Sequence, residues 1–195
     1  TTSTPSPEWQ MPARIPTIDL GPLRGTDGER RALADELTAV YHDIGFAVLV
    51  NHGLPAGYLD NVFAMMAEFF ALSDEQKLFI DKRESRHFRG WEAVGTEFTN
   101  NRPDVREQID VWSERPALAA DVVPAYLRLL GPNQWMPDDV IAGQQALTLD
   151  WFNRLGTLAD EILSLFALGL GLDADHFCTA FDKNSMSLTK FINYP

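Results

Sequence analysis

Tyr41 to Pro55, reading YHDIGFAVLVNHGLP, runs a helix end, a strand and a turn together without a break, and it constrains its surroundings more than any other stretch. Gly45 stops the helix, and Phe46 to Val50 are five apolar residues in succession. Periodicity alone does not separate such a run from a buried helix segment. Its shortness, its β-branched and aromatic content, and the flanking Gly45 and Asn51-His52-Gly53 favour a strand. A strand with no polar side is expected to be covered on both faces.

The neighbouring segments supply candidates for that cover. Ile15 to Leu20 (IPTIDL) reads as a short strand bounded by prolines and Gly21-Pro22. Thr26-Asp27-Gly28-Glu29 has capping-box spacing, so a helix is expected to start there. Leu33, Leu37, Val40, Tyr41 and Ile44 then fall on one helical face. After the His52-Gly53-Leu54-Pro55 turn, Leu59, Val62, Phe63, Met66, Phe69 and Phe70 predict a second amphipathic helix, and Ser73-Asp74-Glu75-Gln76 caps a shorter one.

From Asp81 to Arg106 the pattern dissolves into charge, glycine and aromatic residues, which predicts a long loop. Loops of that length within compact domains are functional or disordered, and Phe88, Trp91 and Phe98 argue for order. Gln108 to Ser113 alternates, with Ile109, Val111 and Ser113 on one side and Asp110 and Trp112 on the other, as a strand does. Pro116 to Pro137 is loop-rich. Pro137 suits the first position of a long helix, with Asp138 and Asp139 at its positive end. Val140, Leu147, Trp151, Leu155, Leu158, Ile162 and Phe166 carry its apolar stripe until Gly169 and Gly171 end it. Asp173 or Asp175 caps a short helix through Phe181, and Ser187 to Tyr194 closes the chain as a strand.

A chain of 195 residues is long enough to bury roughly 70% of its unfolded surface. No apolar run approaches the roughly 18 residues that span a bilayer, so a globular domain without a membrane span is expected. The first 14 residues, TTSTPSPEWQMPAR, have neither the basic nor the apolar region of a signal peptide and read as a flexible tail, leaving 15–195 as one domain. The single cysteine, Cys178, rules out an intrachain disulfide and fits a reducing cytoplasm. A net charge of -12 would repel a phosphate backbone, so nucleic acid is not an expected partner.

The residues alone point to no chemistry. The positions two past His42, His52, His87 and His176 are Ile44, Leu54, Arg89 and Cys178, so none has the His-x-acid spacing of a non-haem iron site. Asp173-Ala174-Asp175-His176 reads as a helix N-terminus. GxSxG, GxxxxGK[ST], GxGxxG and CxxC are all absent. Cys178, among Phe177, Ala180 and Phe181, reads as an inert core thiol.

The order of segments says more. IPTIDL, GFAVLVNHGLP, FFALSDEQK, FRGW, LLGPNQWMP, the long helix and LTKFINYP together resemble the N-terminal region of the iron(II)- and 2-oxoglutarate-dependent dioxygenases of the isopenicillin N synthase type. The resemblance covers Ile15 to Pro195. It implies an α/β (α+β) fold with helices packed on part of a jelly-roll (double-stranded β-helix) sheet. It implies Fe(II) and 2-oxoglutarate as cofactors. The activity it implies is an oxidoreductase that couples 2-oxoglutarate decarboxylation to hydroxylation, desaturation or cyclisation of a small-molecule substrate.

In that family the HxD…H iron ligands and the RxS motif follow the NYP segment, where this sequence stops. The chain is therefore expected to be inactive alone and to need the C-terminal barrel half, in the same or a separate polypeptide. The other reading is a non-catalytic binding or assembly module that keeps the scaffold. By resemblance Tyr194 matches the tyrosine that meets 2-oxoglutarate, although the asparagine usual two residues earlier is Ile192 here. Strand alternation then puts Leu188, Lys190 and Ile192 on the same face as Tyr194, as substrate-binding candidates. Arg89, Trp91 and Glu97 lie in the loop that in relatives reaches over the pocket mouth.

Overall fold

The computed structural model describes residues 14–177, 180–181 and 186–195. Cys178 and the proposed tail up to residue 13 lie outside the described residues, as does part of the short helix expected through Phe181. The chain forms two compact units, Thr1–Gly53 with Leu158–Thr179 and Leu54–Thr157 with Ala180–Pro195. Because their segments interleave, no linker or shift of composition marks the division.

The first unit contains strand β1 (Thr17–Asp19), helix α1 (Asp27–Asp43) and strand β2 (Val48–Val50), with β1 and β2 paired in parallel. The capping box forms as expected: the Thr26 hydroxyl accepts from the Glu29 amide, and Glu29 accepts from the Thr26 amide. Leu33, Ala34 and Leu37 of α1 pack with Ile18, Leu20 and Leu165 into one apolar cluster, which Leu49 joins from its edge. Leu165 belongs to the later part of helix α4 (Gln144–Gly169). Gly169 is required there, since a Cβ would strike the Thr38 hydroxyl and the Ala34 carbonyl. Gly171 then ends the helix in a left-handed turn, with the Gly171 amide on Leu168 O and the Leu172 amide on Ala167 O.

One expectation for this unit needs correction. The apolar run is not covered on both faces, since Phe46 and Val48 are exposed. Among the described residues the sheet has two strands, and its packed side is the one carrying Ile18 and Leu49.

The second unit holds helices α2 (Tyr58–Phe70) and α3 (Asp74–Lys77), the first part of α4, and an antiparallel sheet. The sheet consists of β3 (Gly90–Glu92), β6 (Glu107–Trp112) and β7 (Leu188–Asn193), with β6 in the centre. A separate hairpin pairs β4 (Phe98–Thr99) with β5 (Arg102–Pro103). Met65, Met66, Phe69, Ile80, Trp91, Ile109, Val111, Met136 and Ile141 form the core against the inner side of the sheet. The α2 stripe is rotated from the expected one. Tyr58, Val62, Met65 and Phe69, spaced four, three and four apart, face inward, while Phe63 is 70% exposed. Phe63 is displaced by about 100° from Val62 on the helix, which takes it off the buried stripe.

The Asp81 to Arg106 stretch is not one long loop. It contributes β3 to the main sheet and builds the β4–β5 hairpin, whose turn residues Asn100 and Asn101 both have positive φ, 52° and 60°. The long helix starts at Gln144 and not at Pro137. The Val140 and Ile141 amides close a separate turn on Pro137 O, and Gly143, at φ +71°, breaks the chain before the helix begins. No helix among the described residues is long and apolar enough to cross a membrane.

Candidate functional site

Antiparallel register decides which side chains meet on the outer face of the main sheet. Lys190 lies opposite Asp110, Ile192 opposite Gln108, Leu188 opposite Trp112, and Glu92 opposite Gln108. Because side chains alternate along a strand, these residues share one face, while Trp91, Ile109, Val111 and Phe191 turn to the core. The polar side of the Gln108–Ser113 alternation and the predicted substrate face of β7 thus form one surface.

That surface is an ionic lattice. Lys82, buried, places its ammonium 2.7 Å from Asp110 Oδ2 and 2.8 Å from Glu92 Oε2. Burial alone would lower the Lys82 pKa, but its hydrogen bonds to the Asp110 and Glu92 carboxylates outweigh it and hold the value above that of a free lysine. The Gln108 amide donates to Glu92 and Glu97, at 3.2 Å each. Arg106 bridges Glu97 and Asp104 and also meets the Tyr194 hydroxyl. The Arg106 hydrogen bond is the main cause that lowers the Glu97 pKa.

Lys190 is held differently. Its ammonium lies 3.7 Å from Asp110 Oδ1 and 3.9 Å from Glu97 Oε1, and its side chain is 32% exposed. These are ion-pair distances beyond hydrogen-bond length, so the three N–H donors of Lys190 are aimed by charge without being consumed. Leu188 and Ile192 flank it, partly exposed, and Tyr194 is exposed just past the strand.

Arg89 and Trp91 sit elsewhere. Arg89 is 1% exposed, and its guanidinium donates to the carbonyls of His87, Leu129 and Ser113. Burial lowers its pKa, with Glu114 offsetting part of the effect. Trp91 is buried and donates its indole N–H to Glu107 Oε2 at 2.8 Å. The geometry gives both residues scaffolding contacts, whereas Glu97 reaches Lys190 directly.

Sequence reasoning passed over Lys82, Arg106, Gln108 and Asp110 as site residues. Asp110 carried a usable signal, an acid on the polar side of a strand pattern. Lys82 carried none, because its two carboxylate partners are 10 and 28 residues away. Among the described residues no group of three or more His, Cys, Asp or Glu side chains could hold a metal ion.

Comparisons with known proteins agree with this architecture. Residues 15–138 match the family model described as non-haem dioxygenase in morphine synthesis, N-terminal. A 2-oxoglutarate-dependent dioxygenase, frbJ, from a Dothideomycetidae species is 34% identical over 181 residues, covering 93% of this chain and 48% of that protein. A homoarginine-6-hydroxylase from Arabidopsis thaliana is 29% identical over 190 residues, with 93% and 52% covered. Among solved structures, a putative 2OG-Fe(II) oxygenase family protein from Caulobacter crescentus has a TM-score of 0.72 at 23% identity. That match covers 93% of this chain and 56% of the Caulobacter protein, and it is a likeness of fold. The chain spans about half the length of the curated relatives it matches.

Proposed function

Because the chain belongs to the non-haem dioxygenase family, whose N-terminal model matches residues 15–138, we propose that it takes part in 2-oxoglutarate- and iron(II)-dependent oxidation of a small organic molecule. The Leu188, Lys190 and Ile192 face of β7 forms one wall of the substrate site. One observation carries this reading: the register sets Lys190 above Asp110 with free donors, between two apolar side chains and in line with Tyr194. The names of the relatives favour the same reaction class, and the two homoarginine-6-hydroxylases favour a small molecule as substrate. In this reading residues 15–195 are the N-terminal domain of a cytoplasmic enzyme, and the β3-β6-β7 sheet belongs to a jelly-roll that further polypeptide completes.

The described residues supply no ligand set for iron. They fit 2-oxoglutarate better: Tyr194 is exposed and its hydroxyl lies on the Arg106 guanidinium, so a carboxylate there would meet a hydroxyl donor next to a positive charge. The cofactors, when bound, supply the oxidation itself, with hydroxylation, desaturation and ring closure as the outcomes open to it.

The residues of this chain bind and orient. Asp110 is shared with the buried Lys82 and therefore aims Lys190 without capturing it. The Lys190 ammonium then donates to a carbonyl or hydroxyl oxygen of the substrate, while Leu188 and Ile192 keep water from the carbon skeleton beside it. Glu97 steers the same ammonium from the hairpin side.

In the full-length enzyme, Lys190→Ala is expected to raise the substrate KM about tenfold, the loss of one charge-assisted hydrogen bond. Turnover of 2-oxoglutarate without substrate should stay near the wild-type rate. Steady-state kinetics with oxygen uptake read both, and an unchanged KM would remove Lys190 from the wall.

A further inference from the structure

A cavity of about 540 Å³ opens beside β3, built from residues 74–96, with Lys82 and Glu92 shared between it and the ionic lattice on the outer face of the sheet. Its volume falls within the roughly 300–1,000 Å³ typical of small-molecule sites. Leu78, Phe88, Trp91 and Ala93 give it apolar surface.

The buried and half-buried charged groups around it are already engaged. Asp81 accepts from the Arg83 backbone amide and guanidinium. Lys82 is held between Glu92 and Asp110. Asp74, 3.8 Å from Lys77 and 82% exposed, stays solvated outside these pairs. An ion entering beside Asp81, Lys82 and Glu92 would have to break one of these pairs or remain without a counter-charge in a partly desolvated space, and both are costly. A neutral molecule meets neither obstacle.

Phe88 adds a specific feature. It is a non-glycine residue at φ 60°, in the left-handed region that L side chains rarely adopt. That conformation does not serve burial, since Phe88 is 55% exposed. It sets one face of the ring over the Lys82 ammonium, 4.0 Å from the ring centroid, at the rim of the cavity. Ser85, also lining the cavity, accepts from the His87 amide through its oxygen and keeps its hydroxyl proton to donate.

The geometry points to this cavity as a binding site for an uncharged aromatic small molecule that carries an acceptor oxygen, with Phe88 stacking on its ring and Ser85 donating to its oxygen. Such binding needs neither iron nor 2-oxoglutarate, so it stands or falls apart from the oxidation proposed above.

The test is fluorine NMR on the full-length protein without metal or 2-oxoglutarate, using 4-fluoroacetophenone, 4-fluorobenzoate and 4-fluorobenzylamine at neutral pH as ring-matched neutral, anionic and cationic probes. The neutral probe should broaden and the two ions should not. Phe88→Ala should weaken the neutral probe roughly fivefold, as loss of one aromatic stack implies. Thr96→Trp, which places a bulky ring at an exposed lining position, should abolish binding, and amide spectra would establish that each variant is folded. Either variant, if folded, carries the test. Equal broadening of all three probes, no broadening of the neutral one, or neutral-probe binding unchanged in a folded variant would overturn the assignment.

Discussion

Replacing Glu107 by alanine is expected to destabilise the second unit by about 3–5 kcal/mol, the cost of breaking a buried ion pair by removing one partner. Glu107 is 5% exposed and accepts from Lys77 Nζ at 3.0 Å, Trp91 Nε1 at 2.8 Å and Asn193 Nδ2 at 3.0 Å. One carboxylate thus joins α3, β3 and β7, and its loss leaves a buried ammonium and an indole N–H without their acceptor. Urea unfolding measures the difference, and a loss below about 1 kcal/mol would mean that water replaces the carboxylate at little cost.

The same residue predicts a pH dependence. Burial would raise the Glu107 pKa, but the donors from Asn193, Lys77 and Trp91 together outweigh it and hold the carboxyl below its ordinary 4.5. The unfolded chain therefore binds this proton more readily than the folded one. The stabilisation is complete above the ordinary value and is lost as pH falls through the lower folded value. Wild-type protein should lose stability in that acid range, and Glu107→Ala should show a shallower loss there.

Gly90→Ala is expected to cost roughly 2–5 kcal/mol, combining strained backbone with overpacking. Gly90 has φ +118°, and a Cβ there would collide with the Ile80 carbonyl and the Gln134 side-chain amide. Neither neighbour yields easily. The Gln134 amide nitrogen bonds the carbonyls of Asp81 and Arg89 at 2.9 and 2.8 Å, so moving it would release both. Denaturant unfolding of the variant gives the size of the effect, and a wild-type midpoint would show that the 88–90 segment can shift.

The features legible in the sequence were those with local causes. The Thr26 and Ser73 caps each need only four residues, and both formed. The Leu188 to Tyr194 alternation needs only a strand period, and its outer face matches the one read from the residues. Asn100-Asn101 was a hairpin signal that went unused, since two left-handed residues in succession are what a tight β-turn requires. The rest depended on distant partners. Arg89 is defined by the carbonyls of Leu129 and Ser113, 40 and 24 residues away, and no local pattern foretells that a loop arginine will be enclosed by them. Phe63 looked equivalent to Val62 on an apolar helix, and only the position of the rest of the core separates them.

As proposed, the outer face of β7 and the residue after it line a 2-oxoglutarate oxygenase site. Calorimetric titration of 2-oxoglutarate into the iron-loaded full-length protein without oxygen, comparing wild type with Tyr194→Phe, decides this. The wild type should bind, and the variant, lacking one hydroxyl donor to a carboxylate, should bind about tenfold more weakly. A wild-type protein that takes up no 2-oxoglutarate, or a variant that binds as tightly, would contradict it.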